Sequence, residues 1–275
     1  MLNNDFVGLI PAAGHAARLA MATGSKELLP VPDLDRPDSA GNPATIPVCE
    51  YLLRQYRNAG IRHIVVVRRS EKTDIGDFFS NESCQANFAV TDLLTASTRG
   101  SVHSLALGCA EVPEQSIAVG FPDIILQPSS LCRDALTALE NSDATVCLAG
   151  VPIPANERWI WDFCVFDEAT VNNPKPGRVN RIVSKPETTD LVYAWALAVW
   201  RPAFSQFLME FVGDPENLLH IDGEVSLTHV LQAAIEHGFH IIGANSDKGF
   251  ALDIGKPERL KMARNLYNKP GQNKR

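Results

Sequence analysis

The sequence LIPAAGHAARL, residues 9–19, ends an apolar run that begins at Phe6 and passes into a loop of small residues. The apolar run has the length and composition of a buried strand. Ala12, Ala13 and Gly14 allow backbone N–H groups to approach an anion or a flat ring closely. Arg18 follows, and its guanidinium can grip phosphate oxygens with two parallel donors. The stretch therefore predicts a first strand that leads into a nucleotide-binding loop.

Two well-known phosphate-binding loops are excluded by the same residues. A dinucleotide-binding turn requires G-x-G-x-x-G, but Gly14 is followed by His15, Ala16 and Ala17. The lysine and hydroxyl residue that end a Walker A loop are also missing. The loop must belong to another class of nucleotide-binding protein.

Outward from this loop, short apolar runs alternate with segments of helical periodicity. Such alternation predicts an α/β fold, here a Rossmann-like three-layer sandwich with a mostly parallel central sheet. Residues 159–200 contain several strand-like runs with few helical stretches, which indicates an antiparallel insertion. We expect residues 1–267 to form one domain that includes this insertion, Asp33 to Pro47 to be an exposed loop, and residues 268–275 to be a disordered tail. The predicted strands are Phe6–Ile10, His63–Val67, Phe88–Thr91, Ile117–Gly120, Thr145–Val151 and His240–Ala244, and the predicted helices are Pro47–Ala59, Val102–Ala110, Ser130–Glu140 and Val225–His237.

The charge balance limits the kinds of partner. The chain has a formal net charge of -7, so it lacks the basic surface that nucleic acids and anionic membranes require. Its start shows no basic stretch before an apolar one, and no run of about 18 apolar residues occurs. We expect a cytoplasmic protein that binds neither nucleic acid nor membrane, with its six scattered cysteines reduced.

A second motif, GSKELLPVPD, covers residues 24–33 and places Lys26 eight residues after Arg18. A lysine beside a phosphate-binding loop can neutralise a leaving pyrophosphate. Together, PAAGHAARL and SKELLPV resemble the amino-terminal signature of the sugar nucleotidyltransferase family. The resemblance implies the nucleotide-diphospho-sugar transferase fold, with residues 159–200 on the sugar side. It also implies transfer of a nucleoside monophosphate to a sugar 1-phosphate.

Later segments resemble further motifs of the family in the same order. VGFPDIIL, residues 119–126, places Asp123 where the family has an aspartate that binds the catalytic Mg²⁺. GFALDIGKPERL, residues 249–260, places Asp253 at the second metal ligand. Hard carboxylate oxygens suit Mg²⁺. The resemblance thus implies a Mg²⁺ site made of these two aspartates.

Three more segments carry implied contacts with the substrates. IVSKPE places Lys185 at the lysine that binds the phosphate of the sugar 1-phosphate, next to Ser184. GEVSLTHVLQAAIEHG places Glu224 at the family's substrate-binding glutamate, and TRGSVHSLALG places His103 beside the nucleotide base. Ala196 takes the position of a glycine near the sugar.

The sequence departs from the family mainly where the sugar would lie. Ser184 replaces the glutamate that usually precedes the lysine, and a segment with tryptophans at 159 and 161 replaces a shorter one with a glycine. His229 replaces an aspartate, and Ala16 and Ala17 replace a glycine and a threonine of the nucleotide loop. The phosphate and metal positions are kept.

The expected substrates are therefore a nucleoside triphosphate, UTP or dTTP, and glucose 1-phosphate or a similar hexose 1-phosphate. Two alternatives stay open. One is a cytidylyltransferase of the same fold that acts on a non-sugar phosphate such as phosphocholine, because the extra tryptophans could contact a cationic group. The other is a non-catalytic nucleotide-sugar-binding regulatory subunit. The sequence is compatible with a homo-oligomer.

Overall fold

The computed structural model describes residues 5–14, 24–37, 43–96, 100–167, 177–219, 221 and 223–266. The strands in this part of the chain are β1 (Phe6–Pro11), β2 (Pro30–Pro37), β3 (Pro43–Pro47), β4 (His63–Arg69), β5 (Ala89–Thr95), β6 (Ser116–Gly120), β7 (Ile124–Gln127), β8 (Val146–Pro152), β9 (Asp162–Phe166), β10 (Gly177–Ser184), β11 (Tyr193–Trp200), β12 (Ile241–Asn245) and β13 (Phe250–Asp253). The α-helices are α1 (Cys49–Asn58), α2 (Thr73–Ser80), α3 (Glu82–Gln85), α4 (Ser101–Glu111), α5 (Leu131–Glu140), α6 (Pro202–Gly213), α7 (Glu216–Leu219), α8 (Leu227–Glu236) and α9 (Pro257–Arg264), and the 3₁₀ helices are η1 (Lys26–Leu28) and η2 (Ala155–Ile160).

The main sheet has nine strands in the order β5-β4-β1-β6-β11-β8-β12-β10-β9. Strands β5, β4, β1 and β6 are parallel neighbours, as are β8 and β12. The other neighbouring pairs are antiparallel. The prediction of an α/β fold is confirmed, but the prediction of a mostly parallel sheet is wrong for the sheet as a whole.

Strand β11 is the reason for the mixed sheet. It runs antiparallel between β6 and β8, at the centre of the sheet. All of its residues after Tyr193 are buried. A nearly continuous apolar strand is typical of one covered on both faces, so the apolar segment 193–200 belongs in the core. The sequence had placed it within the peripheral insertion, of which only β9 and β10 lie at the edge.

Helices cover both faces of the sheet. Helices α1 and α5 pack on one face through side chains such as Leu53 and Leu136. Helices α4, α6 and α8 pack on the other through Leu105, Phe204 and Val230. Both faces of the central strands are therefore covered, and the accessible place for a ligand is the edge of the sheet where the strands end.

The described parts of the segment 33–47, residues 33–37 and 43–47, do not form the exposed loop that its prolines and glycine predicted. Strands β2 and β3 pair as an antiparallel ribbon, with Val31 opposite Ile46. Arg54 of α1 donates to both carboxylate oxygens of Asp33 at 2.6 Å. Tyr51 of the same helix donates its hydroxyl to the carbonyl of Pro32 at 2.7 Å. These contacts with α1, which the local composition does not reveal, hold the ribbon.

Among the described residues, no helix has both the length and the apolar character needed to cross a membrane. The predicted disordered tail lies outside the described residues.

Candidate active site

A cavity of about 290 Å³ opens at the end of the sheet where β6 stops and β9 begins. Its walls include six residues that the sequence singled out: Lys26, Asp123, Lys185, Ala196, Glu224 and Asp253. They are far apart in the chain and come from separate strands, loops and helices. The fold therefore brings the motifs of both halves of the sequence to one place.

The two aspartates meet because two short strands pair. Asp123 lies in the turn between β6 and β7, and Asp253 is the last residue of β13. Strands β7 and β13 are antiparallel, with Asp253 opposite Ile124. Ile254 donates its backbone N–H to the carbonyl of Asp123 at 3.1 Å. This register places both carboxylates at the same end of the ribbon.

Lys26, the first residue of η1, contacts Asp123. Its Nζ donates to Oδ2 of Asp123 at 2.5 Å. The charge of Asp123 raises the pKa of Lys26 well above its ordinary value, against the opposing effect of burial. Lys26 is therefore a firmly charged ammonium group beside the aspartates.

The surroundings of Asp253 disfavour its charged form. Burial raises its pKa, and the charge of Asp123 raises it further. The backbone N–H of Gly255 opposes this by donating to Oδ1 of Asp253 at 2.6 Å. A pair of carboxylates that repel each other in this way is stabilised by a cation between them.

The residues present fit a Mg²⁺ ion. A Cβ on Gly255 would lie 2.9 Å from Oδ1 of Asp253 and 3.8 Å from Oδ2 of Asp123, so the glycine leaves open the space that both carboxylates border. In the part of the chain that the structure describes, no group of three or more histidine, cysteine, aspartate or glutamate residues could hold a metal. Mg²⁺ is commonly bound by one or two carboxylates together with substrate phosphates and water. The two aspartates suit that kind of site.

A buried ion pair fixes Lys26 relative to the nucleotide loop. Glu27 follows Lys26 and is 2% exposed, and its Oε1 accepts a hydrogen bond from Nζ of Lys72 at 2.8 Å. The same Nζ donates to the carbonyl of Ala12 at 2.8 Å. Burial raises the pKa of Glu27, while the charge of Lys72 opposes that rise. Lys72 thus connects the short helix η1 to the end of β1.

The predicted nucleotide loop is described only at its beginning. Ala12 and Ala13 are buried and Gly14 is exposed at the carboxyl end of β1. Ala12 donates its N–H to the carbonyl of Val67 at 2.8 Å. Arg18 lies outside the described residues.

Lys185, which also lines the cavity, follows the end of β10 in a strained conformation. Its φ of 41° lies in the left-handed region, and it is the only residue other than glycine with a positive φ among those described. Such strain is found where surrounding contacts hold a functional residue in place. The Lys185 N–H donates to the carbonyl of Trp161 at 3.1 Å. Ser184, just before it, donates its hydroxyl to Asp162 at 2.7 Å.

Of the other residues predicted to contact the substrates, some line the cavity and one does not. Glu224 lines the cavity, and its Oε1 accepts the N–H of Ser101, the first residue of α4, at 3.1 Å. Gly100 permits this approach, since a Cβ there would lie 2.6 Å from Cγ of Glu224. Ala196 lies on the wall at an irregularity in the pairing of β11 with β8. His103 is partly buried in α4 and is not among the residues that line the cavity.

Some residues that line the cavity were given no role by the sequence motifs. Asp162 and Thr228 face each other, since Thr228 donates its hydroxyl to Oδ2 of Asp162 at 2.6 Å. Trp195 lines the wall beside Phe121, their ring centroids 6.2 Å apart. The segment with Trp161 was noted only as a departure. The signal for Asp162 would have been its alignment with Ser184 across two strands, which a single sequence does not display.

The fold defined by these elements is that of the nucleotidyltransferases. A UDP-glucose pyrophosphorylase solved with UDP-glucose superposes with a TM-score of 0.77 at 18% identity, over 98% of this chain and all of that one. A structure described as a putative glucose-1-phosphate thymidylyltransferase from Bacillus anthracis, in complex with a sucrose, superposes with a TM-score of 0.72 at 18% identity, over 98% of both chains.

Two curated proteins are similar in sequence over most of the length. The UTP–glucose-1-phosphate uridylyltransferase of Haemophilus influenzae is 23% identical in an alignment of 273 positions that covers 88% of each chain. The protein of the same name from Haemophilus ducreyi is 23% identical in an alignment of 276 positions that covers 89% of this chain and 88% of that one. No family model matches the chain. The resemblance to sugar nucleotidyltransferases drawn from the motifs is confirmed.

Proposed function

We propose that the chain is an enzyme that transfers a nucleoside monophosphate from UTP or dTTP to glucose 1-phosphate or a similar hexose 1-phosphate and releases pyrophosphate. The observation that carries this proposal is that Lys26, Asp123, Asp253 and Lys185 line one cavity, with Lys26 paired to Asp123. Similarity to two uridylyltransferases over nearly nine-tenths of the chain supports it. A neighbour in fold binds UDP-glucose.

In the proposed reaction an oxygen of the acceptor phosphate attacks the α-phosphorus of the triphosphate, the bond to the bridging oxygen breaks, and pyrophosphate leaves. A phosphate monoester is already a competent nucleophile at neutral pH, so no side chain has to remove a proton. The protein contributes positioning and charge neutralisation, which dominate phosphoryl-type transfers. Lys185, held by its backbone against Trp161, would place the attacking oxygen.

The triphosphate would lie along the loop at the end of β1. The backbone of Ala12, Ala13 and Gly14 would contact it, and His103 would face the base. Lys26 would exchange its bond with Asp123 for the β and γ phosphates as they depart. Arg18 would support the same two phosphates.

Mg²⁺ held by Asp123 and Asp253 would neutralise the crowded phosphate charges around the reacting phosphorus. On the acceptor side, Ser184, Ala196 and Glu224 would contact the sugar phosphate. The expected setting is cytoplasmic nucleotide-sugar synthesis.

The two alternatives are less well supported. The aromatic wall formed by Phe121, Trp161 and Trp195 suits a cationic acceptor such as phosphocholine, but the curated relatives are named as glucose-1-phosphate uridylyltransferases. A non-catalytic subunit would have little need for two aspartates that repel each other. Both points favour the sugar nucleotidyltransferase.

The test is a matrix of triphosphates against acceptors, read as pyrophosphate release in the presence of Mg²⁺. The four common triphosphates and dTTP would each be paired with glucose 1-phosphate, galactose 1-phosphate, glucosamine 1-phosphate and phosphocholine. We expect turnover to be fastest with UTP or dTTP and a hexose 1-phosphate. Turnover with CTP and phosphocholine alone, or none in any pairing together with thermal stabilisation by a nucleotide-sugar, would refute the proposal.

A further inference from the structure

The acceptor side of the cavity holds a carboxylate that the mechanism above does not use. Asp162 is the first residue of β9 and lies directly opposite Ser184, the last residue of β10, in the antiparallel register. Its side chain lines the cavity. Ser184 is the position at which the family resemblance leads one to expect a glutamate. A carboxylate is therefore present at this point of the wall, but on the neighbouring strand.

Asp162 is fixed by two neutral donors. Ser184 donates its hydroxyl to Oδ1 at 2.7 Å, and Thr228, which is 3% exposed, donates to Oδ2 at 2.6 Å. A carboxylate has about four acceptor positions, so each oxygen keeps capacity for another donor. Among the described residues no cation lies within ion-pair distance of it. Its orientation is set, while its charge and part of its acceptor capacity stay available.

The same wall contains two donors without partners. The indole N–H groups of Trp161 and Trp195 are buried and have no hydrogen-bond partner within the described structure. Both residues line the cavity and are 5% and 6% exposed. A buried polar group without a partner is unfavourable and calls for an explanation. A ligand rich in oxygen atoms offers acceptors to such groups after small side-chain shifts, and aromatic faces pack well on a sugar ring.

The carboxylate and the phosphate-binding lysine form one unit. Trp161, which precedes Asp162, accepts the N–H of Lys185 through its carbonyl. Ser184, which precedes Lys185, is bonded to Asp162. These two cross-strand contacts fix the separation between a group that holds a phosphate and a group that accepts hydrogen bonds. A sugar 1-phosphate has this arrangement, with hydroxyl donors at a fixed distance from its phosphate.

We propose that Asp162 determines acceptor specificity: it accepts hydrogen bonds from the ring hydroxyls of a neutral hexose 1-phosphate, against the wall formed by Trp161 and Trp195. The proposal rests on the proposed function and names the feature of the acceptor that this site recognises. Ser184 and Thr228 orient the carboxylate through their hydroxyl groups.

Two readouts test the proposal in the full chain. With Asp162→Asn we expect kcat/KM for glucose 1-phosphate to fall about 30-fold, the size of a lost charge-assisted hydrogen bond, with KM for UTP within twofold of wild type. Calorimetry compares UDP-glucose with UDP, and the tighter binding that the sugar confers should shrink in the variant. Asp190→Asn, a change at an exposed aspartate outside the cavity, is the matched control.

A relocation experiment separates recognition from folding. Asp162→Ser should show the same loss, and Asp162→Ser combined with Ser184→Glu should recover at least fivefold of it, because the carboxylate returns from the opposite strand. Unchanged kcat/KM and unchanged preference for UDP-glucose over UDP in Asp162→Asn would overturn the proposal. So would a wild-type preference of tenfold or more for glucosamine 1-phosphate or phosphocholine, which would assign the carboxylate to a cation.

The binding readout keeps the two proposals distinguishable. A wild-type protein without turnover in any pairing refutes the proposed function. If it still prefers UDP-glucose over UDP through Asp162, the specificity assignment stands on the product complex. If wild type and variant bind both ligands equally, the assignment fails as well.

Discussion

The two ends of the cavity differ in how closely their residues agree with the family motifs. At the end proposed to bind the phosphates, Lys26 and Asp123 form an ion pair, and Asp123 and Asp253 border the same space beside Gly255. At the end proposed to bind the acceptor, Lys185 lies in the segment that resembles the family motif, but the residues around it differ from that motif. Chemistry on phosphate constrains charge and geometry closely, whereas the shape of an acceptor can be matched by several residue sets.

The difference extends to how each end is held. Charges hold the phosphate end, through the bond from Lys26 to Asp123 and the buried pair of Glu27 and Lys72. Neutral hydroxyls and backbone contacts between β9 and β10 hold the acceptor end. Substitutions at the phosphate end should therefore affect turnover or folding strongly, and those at the acceptor end should affect the choice of acceptor.

The largest effect is expected at Asp123. Asp123→Asn removes the partner of Lys26 and one of the two carboxylates proposed for Mg²⁺, so kcat should fall by roughly 10³-fold or more. Steady-state pyrophosphate release measures this, and circular dichroism checks that the fold is intact. Asp77→Asn, at an exposed position of α2, is the control. Activity of Asp123→Asn within about tenfold of wild type would remove Asp123 from the site.

The next effect concerns stability at the same end. Glu27→Gln leaves Lys72 buried without its carboxylate, which should lower the free energy of unfolding by about 3 kcal/mol. Urea denaturation followed by fluorescence measures it. The double variant Glu27→Met with Lys72→Met should be closer to wild type than the single one, because apolar residues of similar size can replace a buried ion pair. Equal losses in both variants would show that the ion pair itself is not what stabilises η1.

At the acceptor end, Lys185→Ala should affect one substrate only. Loss of a charged donor to the acceptor phosphate should reduce kcat/KM for glucose 1-phosphate by roughly 50-fold. KM for UTP should stay nearly constant, since Lys185 follows β10 whereas Lys26 lies on η1 beside Asp123. Lys248→Ala, at an exposed lysine, should change neither constant. An equal rise of KM for both substrates would show that Lys185 does not act on the acceptor alone.

Much of the fold could be predicted because its local signals agree. The apolar runs became β1, β4, β5, β6, β8 and β12 within a few residues of their predicted bounds, and all four predicted helices formed. The direction and position of β11 could not be predicted in the same way. Its residues Tyr193 to Trp200 specify a buried strand, but nothing local says that it enters the centre of the sheet antiparallel.

The same distinction between local signals and tertiary placement applies to the residues of the site. Asp123 and Asp253 could be proposed as partners because each lies in a segment that resembles a family motif for a metal ligand, although the pairing of β7 with β13 is what brings them together. Asp162 could not, because its role depends on which residue of β10 lies opposite it. A register shift of one residue would turn its side chain to the other face. Lys72 was missed for a related reason, since only the tertiary structure brings it to Glu27 and Ala12.

The smallest effect tests whether open space between the carboxylates matters. A Cβ on Gly255 would lie 2.9 Å from Oδ1 of Asp253, so Gly255→Ala should displace that carboxylate by a few tenths of an ångström. Misplacement of a charged group at a reacting phosphate should reduce kcat by roughly tenfold. The dependence of kcat on Mg²⁺ concentration should shift to higher values at the same time.

Gly213→Ala provides the matched control, because a Cβ at that end of α6 meets no atom within 4 Å. It should leave kcat, the Mg²⁺ dependence and the melting temperature close to wild type. If Gly255→Ala instead lowers the melting temperature with kcat unchanged, Gly255 serves the turn before α9 rather than the space between the aspartates. A fall in kcat with an unchanged Mg²⁺ dependence would mean that Asp253 acts on the phosphates through its position alone.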